Sequence, residues 1–242
     1  MNEEKGRPLP PKNKEFTSRL GKVESIAVLS YLPVHLVFLP LAFVALMQRE
    51  IVNELGANLG IYLIGALFML GLCFKFLRRD FDALCDRPFQ IIAEIIGSYG
   101  VMLCCNLLFG IFLNFVSAEV NPNNQAVTDM AVKSYGPVAA MAVYLAPIVE
   151  EMLFRAGVFG TLRRYNRAAA YVVGILSFSV YHVWSFAVLE PSYWLYVLQY
   201  IPVTFLLCRL YESTNSIWSS IFFHMLVNGI SIKVLTAAQQ LL

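Results

Sequence analysis

Charge is scarce in this chain: Asp, Glu, Lys and Arg make up 14% of its 242 residues, while 58% are hydrophobic. A soluble domain is nearer one quarter charged, and a chain this short cannot build a core large enough to hide the difference. The shortage excludes an ordinary soluble fold and points to lipid as the solvent. Cysteine is sparse as well. Cys73, Cys85, Cys104, Cys105 and Cys208 show neither CxxC spacing nor a paired framework, which leaves them as small packing residues. A net charge of +2 gives nucleic acid no footing. The polar start, MNEEKGRPLPPKNKEF, leads into no short apolar stretch with a cleavage site, so the first apolar segment is expected to remain a membrane span.

Long apolar sequence is what remains. Seven stretches approach the ~20 residues a membrane helix needs: Ile26–Met47, Leu59–Leu77, Pro88–Val116, Pro137–Thr161, Ala168–Leu189, Tyr193–Cys208 and Ser216–Leu235. They are long and uninterrupted, unlike barrel strands, and a helix satisfies its own backbone in lipid. The expected fold is all-α: a polytopic membrane bundle of about seven helices over residues 25–235, behind a polar, cytoplasmic arm at 1–24. Residues 117–136 read as the one sizeable loop. Lys and Arg alternate in step with this reading. The arm carries six, the segment after the second stretch four, that after the fourth three and that after the sixth one. These fourteen share one side, against Arg49, Lys133 and Lys233 on the other, with Arg155 inside a span. The positive-inside rule puts the N-terminus in the cytoplasm and the C-terminus outside.

Against that apolar background a few ionisable groups stand out, since each charge at a helix centre costs about 2.5–3.5 kcal/mol on insertion scales. The fourth stretch contains Glu150-Glu151-Met-Leu-Phe-Arg155. Glu151 and Arg155, four apart, can pair along one face. Glu150 is turned about 100° from Glu151 and has no obvious local partner. The fifth stretch contains Phe178-Ser-Val-Tyr-His182, and the seventh His224-Met-Leu-Val-Asn228, with His224 and Asn228 on one face. Counted from the basic ends, Glu150, His182 and His224 lie about 20, 22 and 12 Å deep at 1.5 Å per residue. That allows one shared layer near mid-membrane, expected to open to the cytoplasm. His35, flanked by Pro33 and Pro40, reads as an isolated structural histidine, and Glu94 as a group reaching the interface.

The order Glu-Glu-xxx-Arg, Phe-xxx-His, His-xxx-Asn on successive hydrophobic segments resembles the CPBP family, the CaaX proteases and bacteriocin-processing enzymes also called Abi, over about residues 137–230. The approach from Leu210 to His224 also looks like the family's, with Asn215 where members often carry Gly. The resemblance implies hydrolysis of a peptide bond inside the membrane. Glu150 would be the general base, His182 would help hold the water, and His224 and Asn228 would stabilise the oxyanion. Glu151, Arg155 and Phe178 would support them. No cofactor is implied; the alternative is zinc on Glu150, His182 and His224. Expected partners are membrane lipid and a peptide or protein, lipid-modified (CaaX-like) or not, at a bacterial plasma membrane. Two other classes compete: a non-enzymatic regulatory or bacteriocin-immunity protein on the same fold, and a transporter, for which no repeated halves are found.

Overall fold

The computed structural model describes residues 16–116 and 120–241, and all regular structure among them is helical. In chain order the helices are α1 (Lys22–Gln48), α2 (Glu54–Leu72), α3 (Phe74–Cys85), α4 (Pro88–Phe115), α5 (Pro122–Lys133), α6 (Tyr135–Leu162), α7 (Arg167–Tyr181), α8 (Pro191–Thr214) and α9 (Ile217–Gln239). Several start on side chains that answer their own orphan N–H groups. Asn53 accepts from Gly56, Asn121 from Asn123 and Asn124, and Asn166 from Ala169.

Six of these helices, α1, α2, α4, α6, α8 and α9, are long and apolar enough to cross a membrane. They leave large apolar side chains such as Leu67, Leu107, Leu108 and Val234 exposed, as a surface solvated by lipid requires. The chain is an integral membrane protein. The fifth expected span differs: α7 is 15 residues, about 22 Å of helix against roughly 30 Å of hydrocarbon. Its apolar run continues to Leu189, but the last part is spent on packing a turn. Val183 and Ala187 are buried against Tyr196 of α8. The chain still passes from one end of the bundle to the other, since α7 and α8 run antiparallel. Arg167 pairs with Glu212 at one end, and the His182 ring lies 4.7 Å from that of Tyr200 at the other.

Two amphipathic helices occupy sequence expected as span margin or loop. On α3, Phe76, Leu77 and Asp80 turn inward; α5 lies within the stretch read as a loop. Of the expected polar arm, residues 1–15 lie outside the described residues, and 16–21 are packed. Phe16 and Leu20 are buried, and the Phe16 ring stands edge-on to Tyr211 at 5.0 Å. The basic groups gather at this end. Arg79 donates to the Arg19 carbonyl, Arg87 to that of Thr214 and Arg164 to that of Leu20, while Arg163 and Arg167 share Glu212.

Helix α6 is the axis of the bundle, buried continuously from Val149 to Gly157. Two glycines set how closely its neighbours approach. A Cβ on Gly157 would meet Val28 of α1 at 2.9 Å, and one on Gly65 of α2 would meet both Val149 methyls at 3.0 Å. Prolines flank the wide turns. The π-helical turn Val34–Phe38 in α1 lies between Pro33 and Pro40, and Ala140–Leu145 in α6 between Pro137 and Pro147. Proline lacks the N–H that would hold a regular turn there. A third π-helical stretch, Glu151–Phe159, follows Glu150 directly. Such bulges recur where a helix must re-aim side chains.

Candidate active site

Three helices deliver the groups singled out in the sequence. From the middle of α6, Glu150 and Glu151 point to different neighbours, as their 100° offset requires. Glu150 Oε2 lies 3.7 Å from Nε2 of His182, just past the end of α7, and 3.7 Å from Nε2 of His224 on α9. Glu151 Oε1 lies 2.8 Å from His224 Nδ1, while its other oxygen is 3.2 Å from Arg155 Nε. Glu150, Glu151, Arg155, Phe178 and His224 are almost wholly buried. The Arg155 guanidinium sits 4.0 Å above the Phe178 ring centroid, and its Nη atoms have no hydrogen-bond partner. A desolvated cation over an aromatic face gains on the order of 2 kcal/mol. Arg155 is thus held by Glu151 on one side and a π face on the other.

Two hydrogen bonds constrain the imidazoles. The Phe178 carbonyl, 3.0 Å from His182 Nδ1, can only accept, so Nδ1 carries the proton. A neutral His182 then presents a bare Nε2 to Glu150. His224 Nδ1 likewise donates to an ionised Glu151, and its Nε2 becomes a donor when the ring carries charge, with Glu151 as counter-ion. Asn228, one turn beyond His224, spends one Nδ2 hydrogen on the Ala142 carbonyl at 2.8 Å and keeps a second.

The partner missing for Glu150 comes from α2. Tyr62 OH donates to Glu150 Oε1 at 2.8 Å and lies 3.1 Å from Tyr181 OH. Because the Tyr62 proton goes to the carboxylate, the Tyr62 oxygen accepts from Tyr181. Neither tyrosine was singled out, since an aromatic in an apolar helix reads as packing. His35 is less isolated than its sequence setting suggests. It is buried, its ring lies 5.4 Å from that of Tyr62, and its Nδ1 has no hydrogen-bond partner. Glu94 accepts from Gln90 and Ser213 near the basic end, as an interface group should.

His35, Tyr62, Glu150, Tyr181, His182, His224 and Asn228 all line one cavity of about 500 Å³. It does not open at the arginine-rich end, where the opening is expected. From the Glu150 layer it runs toward Glu54, Asn123 and Leu235, at the end opposite the arginines. On the basic side of that layer lies packed core, including Met152, Leu153, Phe159, Tyr211 and Ile221. Glu150 Oε2 stands beyond bonding distance of both imidazoles, and no group of three His, Cys, Asp or Glu among the described residues is drawn in as a metal centre.

Fold and site together define a polytopic helical membrane protein with a buried glutamate–histidine centre in its interior. Residues 133–230 match the family model described as type II CAAX prenyl endopeptidase Rce1-like. The matched segment holds Glu150, Glu151, Arg155, Phe178, His182, His224 and Asn228, and agrees with the resemblance to CaaX proteases. Tyr62 and His35 lie outside it. No curated protein and no solved structure matches the chain. Asn215, which stands where that family often carries Gly, has φ 53° and so occupies the left-handed region. Asn tolerates that conformation better than most residues. Its side chain also accepts from the Thr17 N–H at 2.7 Å, a bond glycine could not make.

Proposed function

We propose that the protein is an intramembrane endopeptidase in which Glu150 activates water for attack on a peptide carbonyl. The observation that carries this reading is the pair of 3.7 Å separations from Glu150 Oε2 to His182 Nε2 and His224 Nε2. They are too long for direct hydrogen bonds and leave place for a bridging water. Tyr62 occupies Oε1 and leaves Oε2 for that water. The water oxygen bonds to the carbonyl carbon while its proton passes to Glu150, with His182 Nε2 as second acceptor. His224 and the spare Asn228 hydrogen donate to the oxyanion that forms. Glu150 then returns the proton to the amide nitrogen, the C–N bond breaks, and a carboxylic acid and an amine leave, the acid passing its proton to the amine. Glu151 and Arg155 keep His224 oriented and charge-balanced. No metal is part of this scheme. Zinc, on the alternative reading, would take Glu150, His182 and His224 and polarise the carbonyl.

The substrate class is a membrane-associated peptide, with prenylated CaaX-like peptides the first to try. We place the arginine-rich end in the cytoplasm on the positive-inside rule. The test compares purified wild type with Glu150→Gln on a quenched peptide, farnesylated and unmodified, with and without a zinc chelator. Loss of a general base typically costs about 10²- to 10⁴-fold, so the variant should be nearly inert and the chelator without effect. Chelator-sensitive cleavage would replace the water-only scheme by the zinc one. A folded wild type that cleaves neither peptide would favour the non-enzymatic regulatory reading.

A further inference from the structure

The cavity is closed toward the arginines and continues away from them, and this bears on which peptides can reach Glu150. Its lining follows each helix in the same direction. On α1 it begins at His35 and ends at Pro40; on α6 it spans Met141 to Glu150; on α9 it runs from His224 to Leu235. α6 runs opposite to α1 and α9, so in every case the lining extends from mid-depth to the end without the arginine cluster. Glu54, Ser185 and Ser231 mark the exposed outer part of the lining. On the other side, Phe16, Phe154, Phe159, Tyr211 and Ile217 are each at most 2% exposed, and no water path crosses such packing.

The lining chemistry fits an extended peptide. Six carboxamides, Asn58, Asn106, Asn123, Asn124, Gln199 and Asn228, face the cavity, and each can both donate to and accept from a peptide backbone. The carboxylates are Glu54 and Glu150, and neither Lys nor Arg lines the cavity. Arg155, the cation nearest the centre, is shut behind the Phe178 ring. An acidic segment would meet like charge at Glu54, a basic one would find a counter-charge there, and a neutral one needs none.

Ten of the 14 Lys and Arg residues among the described residues belong to the closed end, and the positive-inside rule puts that end in the cytoplasm. We infer that Glu150 is reached from the outer face of the membrane, and that its substrates are uncharged or basic peptide segments presented there rather than cytoplasmic C-termini. This rests on reading the Glu150 centre as hydrolytic; the side of opening does not.

Sealed right-side-out membrane vesicles carrying the full chain separate the two. A charged, impermeant maleimide is applied before and after permeabilisation, and the labelled peptides are read by mass spectrometry. The reporters are the thiol of Glu54→Cys at the mouth and the native, exposed Cys85 at the basic end. We expect complete labelling of the first in sealed vesicles and labelling of Cys85 only after permeabilisation. The reverse pattern, visible at native Cys85 even if the variant fails to fold, would overturn the inference. In parallel, an impermeant, basic quenched peptide is added outside. Equal cleavage rates before and after permeabilisation are expected, and cleavage appearing only afterwards would overturn the outer-face route. Labelling as expected with no cleavage in either preparation would overturn the hydrolytic reading and leave the side of opening standing.

Discussion

Removing a single oxygen, in Tyr62→Phe, tests the Glu150 centre without altering its packing. The lost bond is a 2.8 Å donation to Oε1 of the buried Glu150. A hydrogen bond to a charged group contributes about 1.5–3 kcal/mol net, which at 1.4 kcal/mol per decade is roughly 10- to 150-fold in rate. If Tyr62 acts by fixing the carboxylate so that Oε2 meets the water, the loss should fall on kcat and leave KM nearly unchanged. Tyr62 lines the cavity, and Phe keeps its ring there. Tyr181→Phe removes the neutral bond that orients Tyr62, worth about 0.5–1.5 kcal/mol, so a smaller defect of the same type is expected. The double variant should be no worse than Tyr62→Phe alone, because the second bond acts through the first. Steady-state kinetics on the quenched peptide, with thermal unfolding in detergent as the folding control, measure all three. A folded Tyr62→Phe protein with wild-type kcat would refute the positioning role.

Other consequences follow from the packing. Gly65→Leu forces α2 away from Val149, so Tyr62 should lose Glu150, with overpacking costing about 1–3 kcal/mol; a smaller partner, Val149→Ala, should recover part of the unfolding temperature and of the rate. Arg155→Met leaves Glu151 buried without its cation, a change that costs on the order of 3–5 kcal/mol, and a Tm in detergent unaltered by it would show that the ion pair is not structural. Asp80→Ala orphans the Ile217 N–H and the Ser18 hydroxyl, each at about 1–3 kcal/mol, and should lower Tm while sparing the kinetics of whatever fraction stays folded.

How much of this was legible in the sequence depends on whether the signal runs along a helix or across helices. Apolar length marked the long helices, and isolated charge marked Glu150, Glu151 and Arg155, because both are properties of one segment. The shortness of α7 was hidden because hydropathy measures preference for lipid and is blind to a turn at His182–Val183 that buries its apolar residues against Tyr196. Helix α5 carried readable signals, Asn121 as cap and Pro122 at the first position, yet its polar composition read as loop. Tyr62 and His35 meet Glu150's surroundings only through the packing of α1 and α2 against α6. No periodicity within α1 or α2 encodes that meeting. The cavity's direction was equally invisible, since depth counted from one end says nothing about which end is plugged.

The start of α9 makes its own point. Ser216 provides no side-chain cap; instead Asp80 of α3 accepts from the Ile217 N–H at 3.0 Å, Ser216 donates to the Asp80 carbonyl, and Trp218 donates to that of Leu77. The groove that seats α9 is thus built from sequence translated some 137 residues earlier, while α9 itself follows every other helix that contributes to the centre. Glu150 and His182 are therefore synthesised before His224 and Asn228. A chain that stops before α9 lacks both His224 and Asn228, two of the four groups proposed to do the chemistry.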